Sequence, residues 1–333
     1  MKEESFASRP VRRVVVLGTG GTIASSKGDD GAAVANRTAD ELLVNLDADG
    51  VAVEGRDLLR LGSYLFTHRD LRAMSDAVAA EVQRDDVDGV VITHGTDTME
   101  ESAYLLDLVH DSEKPVVLTG AQKAADRPDS DGPHNLSSAV LVAASDEARG
   151  CGALVCFGDY IFSPARLRKH HTLALEPFRA SDSGPIGRIG TDGIRFTARP
   201  LKAPGLRRPG PAFDHTRVDV VALYPGADSA LAEAAVGAGA RGVVLAGTGA
   251  GNGNHAIRDW VRDATASGTV VGLSTRVAEG PVAEIYGNGG AADLVANGAL
   301  NLGGLPLFHG RLLLAMMLSA GNSVTREALD QYI

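Results

Sequence analysis

The chain has 333 residues, 44% hydrophobic and 22% charged, with 32 Lys+Arg against 42 Asp+Glu and a formal net charge of −10. The composition is that of a globular protein and the length suits two domains. The acidic balance argues against a nucleic-acid partner, and no apolar run reaches the roughly 20 residues that a membrane-spanning helix needs.

Met1 to Arg13 is polar and leads into the first strand without the apolar stretch of a signal peptide, which favours a cytoplasmic location. Apolar runs then alternate with turn residues and amphipathic stretches. Strands are expected near 12–18, 51–61, 88–93, 115–119 and 152–157, and helices near 38–47, 67–83, 98–110 and 135–148. Thr38-Ala39-Asp40-Glu41 and Thr67-His68-Arg69-Asp70 carry helix-capping signals. The alternation predicts an α/β class with a sheet covered on both faces. Cys151 and Cys156, the only cysteines, are expected as reduced core residues on opposite faces of one strand. From Arg199 to Arg217 the apolar period stops and Pro200, Pro204, Pro209 and Pro211 appear, which marks a linker. Beyond it, strands at 218–223, 242–245 and 270–273 alternate with helices near 228–238 and 255–267, and a long apolar helix covers 311–319. The expected organisation is a domain over 1–198, a linker over 199–217 and a smaller α/β domain over 218–333.

Two segments follow buried-strand patterns and carry chemistry: Gly18-Thr19-Gly20-Gly21-Thr22-Ile23-Ala24, and His94-Gly95-Thr96-Asp97-Thr98-Met99-Glu100-Glu101. Open α/β sheets bind ligands at the carboxyl ends of their strands, where both segments fall. The first is not a dinucleotide turn, because no helix opens at its third glycine and no acidic residue closes the second strand. The spacing of Asp97 and Glu100 suits a capping box, which leaves Thr96 unexplained. His94 reads as a packed, hydrogen-bonded histidine rather than a base. Lys169, beside Arg166 and Arg168, is on residues alone a surface cation, and His170 and His171 point apart, so no metal pair is expected.

Taken together, the two threonine segments resemble the bacterial-type L-asparaginase family. Gly62-Ser63, the stretch from Gly158-Asp159 to Lys169, and Gly251-Asn252-Gly253-Asn254 extend the resemblance over nearly the whole chain. It implies a two-domain fold, with a larger N-terminal parallel or mixed sheet flanked by helices, a left-handed crossover within it, and a smaller flavodoxin-like C-terminal domain. It implies hydrolysis of L-asparagine to L-aspartate and ammonia, with L-glutamine as the alternative substrate and no cofactor. By resemblance Thr22 is the nucleophile, supported by Thr96, Asp97 and Lys169, while Gly21, Gly62, Ser63, Tyr64, Gly95, Ala121, Asn254 and Glu284 contact substrate. Backbone N–H groups of the Thr96 loop would form an oxyanion hole, each contributing about 3 kcal/mol. The resemblance also implies a homotetramer of intimate dimers, one subunit completing another's site through Asn254 and an acidic residue for which Glu284 is the candidate. Whether Lys169 acts as a base or as an ammonium stays open at this point.

The chain departs from the family pattern in two places. Ile23 to Leu46 contains no tyrosine, although the family usually carries one in the loop after the first threonine. Gly28, Gly31 and the aspartates between them still suggest a flexible lid. Ser25, Ser26, Tyr64 and a neighbour's Tyr286 are candidate replacements, and activation through Thr96 and Lys169 is the favoured route. Tyr64 stands where the family has a glutamine, which leaves substrate preference open. A catalytically weak amino-acid-binding protein on the same scaffold is the rival reading.

Overall fold

The computed structural model describes residues 11–28, 31–44, 46–180 and 182–333. The polar segment 1–10 and the lid aspartates Asp29 and Asp30 lie outside the described residues.

The run Val14 to Leu17 is buried along its length and forms the middle of β1 (Arg12–Gly20). Next comes a short hairpin, β2 (Ser25–Lys27) with β3 (Ala33–Ala35). Its flanks are tied down: Ala125 N–H donates to Ser25 O, Lys27 N–H to Asp126, and Asn36 and Arg37 N–H to Ala24 O. Helix α1 (Ala39–Leu43) is shorter than its apolar pattern suggests, but Thr38 and Glu41 form the expected capping box. Strand β4 (Val51–Leu61) leads to α2 (His68–Val82), capped reciprocally by Thr67 and Asp70. Then follow β5 (Gly89–Thr93), α3 (Met99–Val109), β6 (Val116–Thr119), α4 (Gly132–Ala144) and β7 (Ala153–Phe157). Helix α4 starts three residues earlier than its apolar period, because Pro133 suits a first helical turn.

After β7 the chain forms short strands that carry little apolar period: β8 (Tyr160–Phe162), the ribbon β9 (Leu167–Lys169) with β10 (Phe178–Ala180), β11 (Gly187–Gly190) and β12 (Gly193–Phe196). Among the described residues the main sheet has eight strands in the order β12-β11-β8-β7-β6-β5-β1-β4. It is parallel from β4 to β7 and antiparallel beyond. Cys151 precedes β7 and only Cys156 lies within it. Both are free and buried in the same hydrophobic cluster, so they do not occupy opposite faces of one strand.

The segment expected as a linker carries a 3-10 turn, Pro211–His215, docked onto α2. Phe213 stacks on His68 at 4.3 Å, and Asp214 receives a two-pronged bond from Arg72 at 2.8 and 2.7 Å. A second, parallel sheet follows, with β13 (Val218–Ala222), β14 (Gly242–Gly247), β15 (Val270–Thr275) and β16 (Leu300–Asn301) in that order. Helices α5 (Ala230–Gly237), α6 (His255–Ala266) and α7 (Ala291–Ala296) connect its strands. Helix α8 (Leu307–Ser319) begins one turn before the apolar run and is buried almost throughout. Its Leu312 to Leu318 join the main-sheet residues Val15, Ile92 and Leu118 and the second-sheet residues Val218 and Val244 in one hydrophobic cluster, so a single core spans both sheets. No helix among the described residues is long and apolar enough to cross a membrane.

Candidate active site

Strand β1 lies between β4 and β5, and the chain leaves it in opposite directions on its two sides. The crevice above such a reversal point is where an open α/β sheet binds ligands. The register pairs Gly20 with Leu61 and Gly18 with Thr93, which sets three loops side by side at the same edge. They carry Thr22, Ser63 and Thr96.

Glycines allow the loops to close on one another. Gly20 and Gly21 have φ of +103° and +77°. A Cβ on Gly21 would sit 2.4 Å from Gly95 N, and one on Gly20 2.5 Å from Leu61 O. Gly95 in turn presses on Ser63, since a Cβ there would lie 2.6 Å from Ser63 Oγ. Thr98 fixes the second and third loops together, donating from its hydroxyl to Ser63 O at 3.0 Å.

The cavity so formed, about 270 Å³, is lined by Gly21, Thr22, Gly62, Ser63, Tyr64, Gly95, Thr96 and Asp97, with Arg60 at its edge. Among the described residues, the Thr22 hydroxyl and the N–H groups of Thr22, Thr96 and Asp97 have no protein hydrogen-bond partner. Uncommitted donors around an uncommitted hydroxyl are what stabilising an oxyanion beside a nucleophile requires.

Lys169, at the end of β9, reaches in from behind the Thr96 loop. Its Nζ donates to Thr96 Oγ1 at 2.8 Å and to Asp97 Oδ1 at 2.7 Å. Its side chain is 15% exposed against 54% for Asp97, so one end of the pair is sheltered and the other faces the cavity mouth. The direction of the Thr96 proton follows from Gln122. The Gln122 amide nitrogen donates to Ala174 O at 2.8 Å and Thr172 O at 3.3 Å, and carbonyls accept only. Gln122 Oε1 therefore faces Thr96 and accepts its hydroxyl proton at 3.0 Å. In this arrangement Lys169 is a donor on both contacts, and it can take the Thr96 proton only after that hydroxyl releases Gln122. Asp131 holds Gln122 in place by accepting its N–H and that of Lys123.

The capping box expected from Asp97 and Glu100 is absent: Thr98 is the N-cap of α3 and no side chain caps that end. Glu100 instead turns onto the buried face of α3 and accepts the backbone N–H of Lys169. Burial pushes its carboxyl up to about 7, against the pull of the Lys169 N–H and the Arg168 charge. A glutamate in step with Met99, Ala103 and Tyr104 on a buried helix face was the available sequence signal; Gln122, in a turn, offered none.

His94 is fully buried. Its Nδ1 donates to Gly95 O at 2.6 Å, its Nε2 accepts from Ser102 Oγ at 2.8 Å, and its ring meets Phe66 edge-on. Burial pushes its imidazole down to about 4, so it is a neutral structural residue. Ala121 turns its side chain into the core rather than the cavity. Asn254 caps α6, accepting from Ile257 N–H and donating to Ala227 O, and Glu284 is held by Asn301 and Arg326, so within one subunit neither reaches Thr22. Of the candidate replacements for the missing tyrosine, Ser25 is committed to Gly21 O and Ser26 to Asn36. Within one subunit Tyr286 does not line the cavity, and Tyr64 does. Among the described residues no group of three His, Cys, Asp or Glu side chains is placed to hold a metal ion.

Comparison with known proteins identifies the family. Residues 13–202 match the model of the asparaginase N-terminal domain, and residues 217–331 that of the glutaminase/asparaginase C-terminal domain. The chain is 35% identical over 318 residues to a probable L-asparaginase of Deinococcus radiodurans, covering 93% of this chain and 94% of that one. It is 32% identical over 294 residues to an L-asparaginase of Bacillus licheniformis, covering 87% and 90%. A crystal structure of a probable cytoplasmic L-asparaginase from Campylobacter jejuni superposes with a TM-score of 0.84 at 29% identity, over 96% of this chain and 98% of that one. The chain belongs to the asparaginase family.

Proposed function

We propose that this protein hydrolyses L-asparagine to L-aspartate and ammonia through an acyl ester on Thr22. The observation that carries the reading is one cavity shared by an uncommitted Thr22 hydroxyl, free backbone donors, and the Thr96 and Asp97 that Lys169 binds. Thr22 Oγ1 attacks the side-chain amide carbon, and the oxyanion forms against the N–H groups of the Thr96 loop. Collapse expels ammonia, the amide NH2 leaving with the proton given up by the threonine hydroxyl. Water then cleaves the ester, returning a proton to Thr22 and leaving aspartate. Lys169 stabilises charge at Thr96 from its doubly donating position, Asp97 orients Lys169 and faces the substrate's α-ammonium, and Ser63 lies on the α-carboxylate side. Gly21, Gly62, Gly95 and Ala121 shape the backbone around the substrate. Tyr64 supplies the one tyrosine hydroxyl among the described cavity-lining residues.

The same proposal includes a homotetramer, in which Asn254 and Glu284 of one subunit approach the site of another, and a cytoplasmic location, in keeping with the probable cytoplasmic L-asparaginase of Campylobacter jejuni. Side-by-side turnover of asparagine and glutamine, with ammonia release as the readout, tests the substrate. Thr22→Ala should lower turnover by several orders of magnitude with an unchanged circular dichroism spectrum. Wild-type activity in that variant would refute the nucleophile assignment. Full activity in a strictly monomeric preparation would refute the shared site.

A further inference from the structure

Strand β9 has a ribbon partner, β10, on one side only. At its other edge, the N–H of its last residue, Lys169, is taken up by the Glu100 carboxylate, 69 residues away in sequence. Glu100 is 8% exposed, lies on α3 directly after the Thr96-Asp97 loop, and does not line the cavity. Burying a carboxylate is costly unless its bonds are needed, and the hydrolytic steps above use none of Glu100.

We infer that Glu100 is a positioning residue: it stands in for a missing strand at the edge of β9 and thereby fixes the backbone from which Lys169 reaches Thr96 and Asp97. The inference rests on the hydrolytic reading for its effect on turnover, but the contact itself does not. The same helix start delivers both ends of the arrangement. Its entry loop carries Thr96 and Asp97, and its first turn carries the acceptor that clamps the lysine segment, so the two bonds to Lys169 Nζ are set by one rigid element. Around Glu100 stand Glu101 on its own helix, Arg168 and Lys169 on β9, and His309 on α8, whose ring burial keeps neutral.

The test compares Glu100→Ala with Glu100→Gln in the full-length protein. A glutamine oxygen can still accept the Lys169 N–H, whereas alanine cannot. Misplacing a reacting group by about 1 Å costs about 100-fold, so Glu100→Ala should lower kcat by about 10- to 100-fold. KM should stay within about threefold, because Glu100 does not touch the cavity, and Glu100→Gln should recover most of the loss. Hydrogen–deuterium exchange at the Lys169 amide should rise in Glu100→Ala and stay protected in Glu100→Gln. Equal losses in the two variants, a change confined to KM, or unchanged exchange at Lys169 in Glu100→Ala would each overturn the inference. If the wild type released no ammonia from asparagine, the hydrolytic reading would fail, and the exchange measurement would still decide whether Glu100 anchors this backbone.

Discussion

Glu100→Gln carries a second consequence, in stability, that separates burial from catalysis. In the folded protein burial pushes the Glu100 carboxyl up from 4.5 to about 7. Between those values the fold favours the protonated form. Glu100 therefore contributes stability that is complete below about 4.5 and lost as pH rises through about 7. The difference between 4.5 and about 7, at 1.36 kcal/mol per pH unit, is about 3 kcal/mol of destabilisation once the carboxylate is ionised. Glutamine is neutral at all pH and escapes it. Glu100→Gln should thus be more stable than the wild type by up to about 3 kcal/mol at pH 8.5, and the two should converge below about pH 4.5. Urea denaturation followed by backbone circular dichroism is the assay, since the single tryptophan, Trp260, lies on α6, away from α3. A stability difference that does not change with pH, or one that favours the wild type at pH 8.5, would refute the reasoning.

Further outcomes follow from the site geometry. Gly21→Ala meets both a φ of +77° and a backbone nitrogen at 2.4 Å, so it should cost more than about 3 kcal/mol and abolish activity, whereas Gly50→Ala, with a φ of +79° in open space, should cost about 1 kcal/mol; thermal melts of the pair check this. Gln122→Leu removes the acceptor of the Thr96 proton and should lower kcat more than KM, and kinetics on asparagine that show the reverse would argue against the assigned proton direction. His94, held down at about 4 by burial, contributes stability that is complete above 6.5 and lost as pH falls through about 4, roughly 3 kcal/mol in all; His94→Gln should flatten that acid limb in denaturation curves taken from pH 7 to 4.

How much of the molecule is legible in its sequence depends on how local the cause is. The apolar β-branched runs of β1, β5, β6 and β7 and the caps at Thr38 and Thr67 are properties of a few adjacent residues, and they appear where those residues place them. Boundaries are less legible: α1 stops early and α4 starts early, because packing and Pro133 override the apolar period. The short strands between Tyr160 and Phe196 escape a sequence reading, since edge strands of three or four residues carry too little pattern to register. Lys169 stands out by resemblance alone, and as one residue among several cations it carries no signal of its own.

By itself, then, the sequence determined where strands end in glycine-lined turns and which hydroxyls those turns present, because φ preference and burial of apolar runs act over neighbouring residues. Only the tertiary structure decided that Glu100 turns inward to Lys169 rather than capping its own helix, that Gln122 takes the Thr96 proton, and that Ser25 and Asn254 are committed elsewhere within the subunit. A polar side chain has several partners within reach in an unfolded chain. Which one it keeps depends on the groups that packing brings into hydrogen-bond range and shuts away from water, and Glu100 and Gln122 find theirs 69 and 26 residues away.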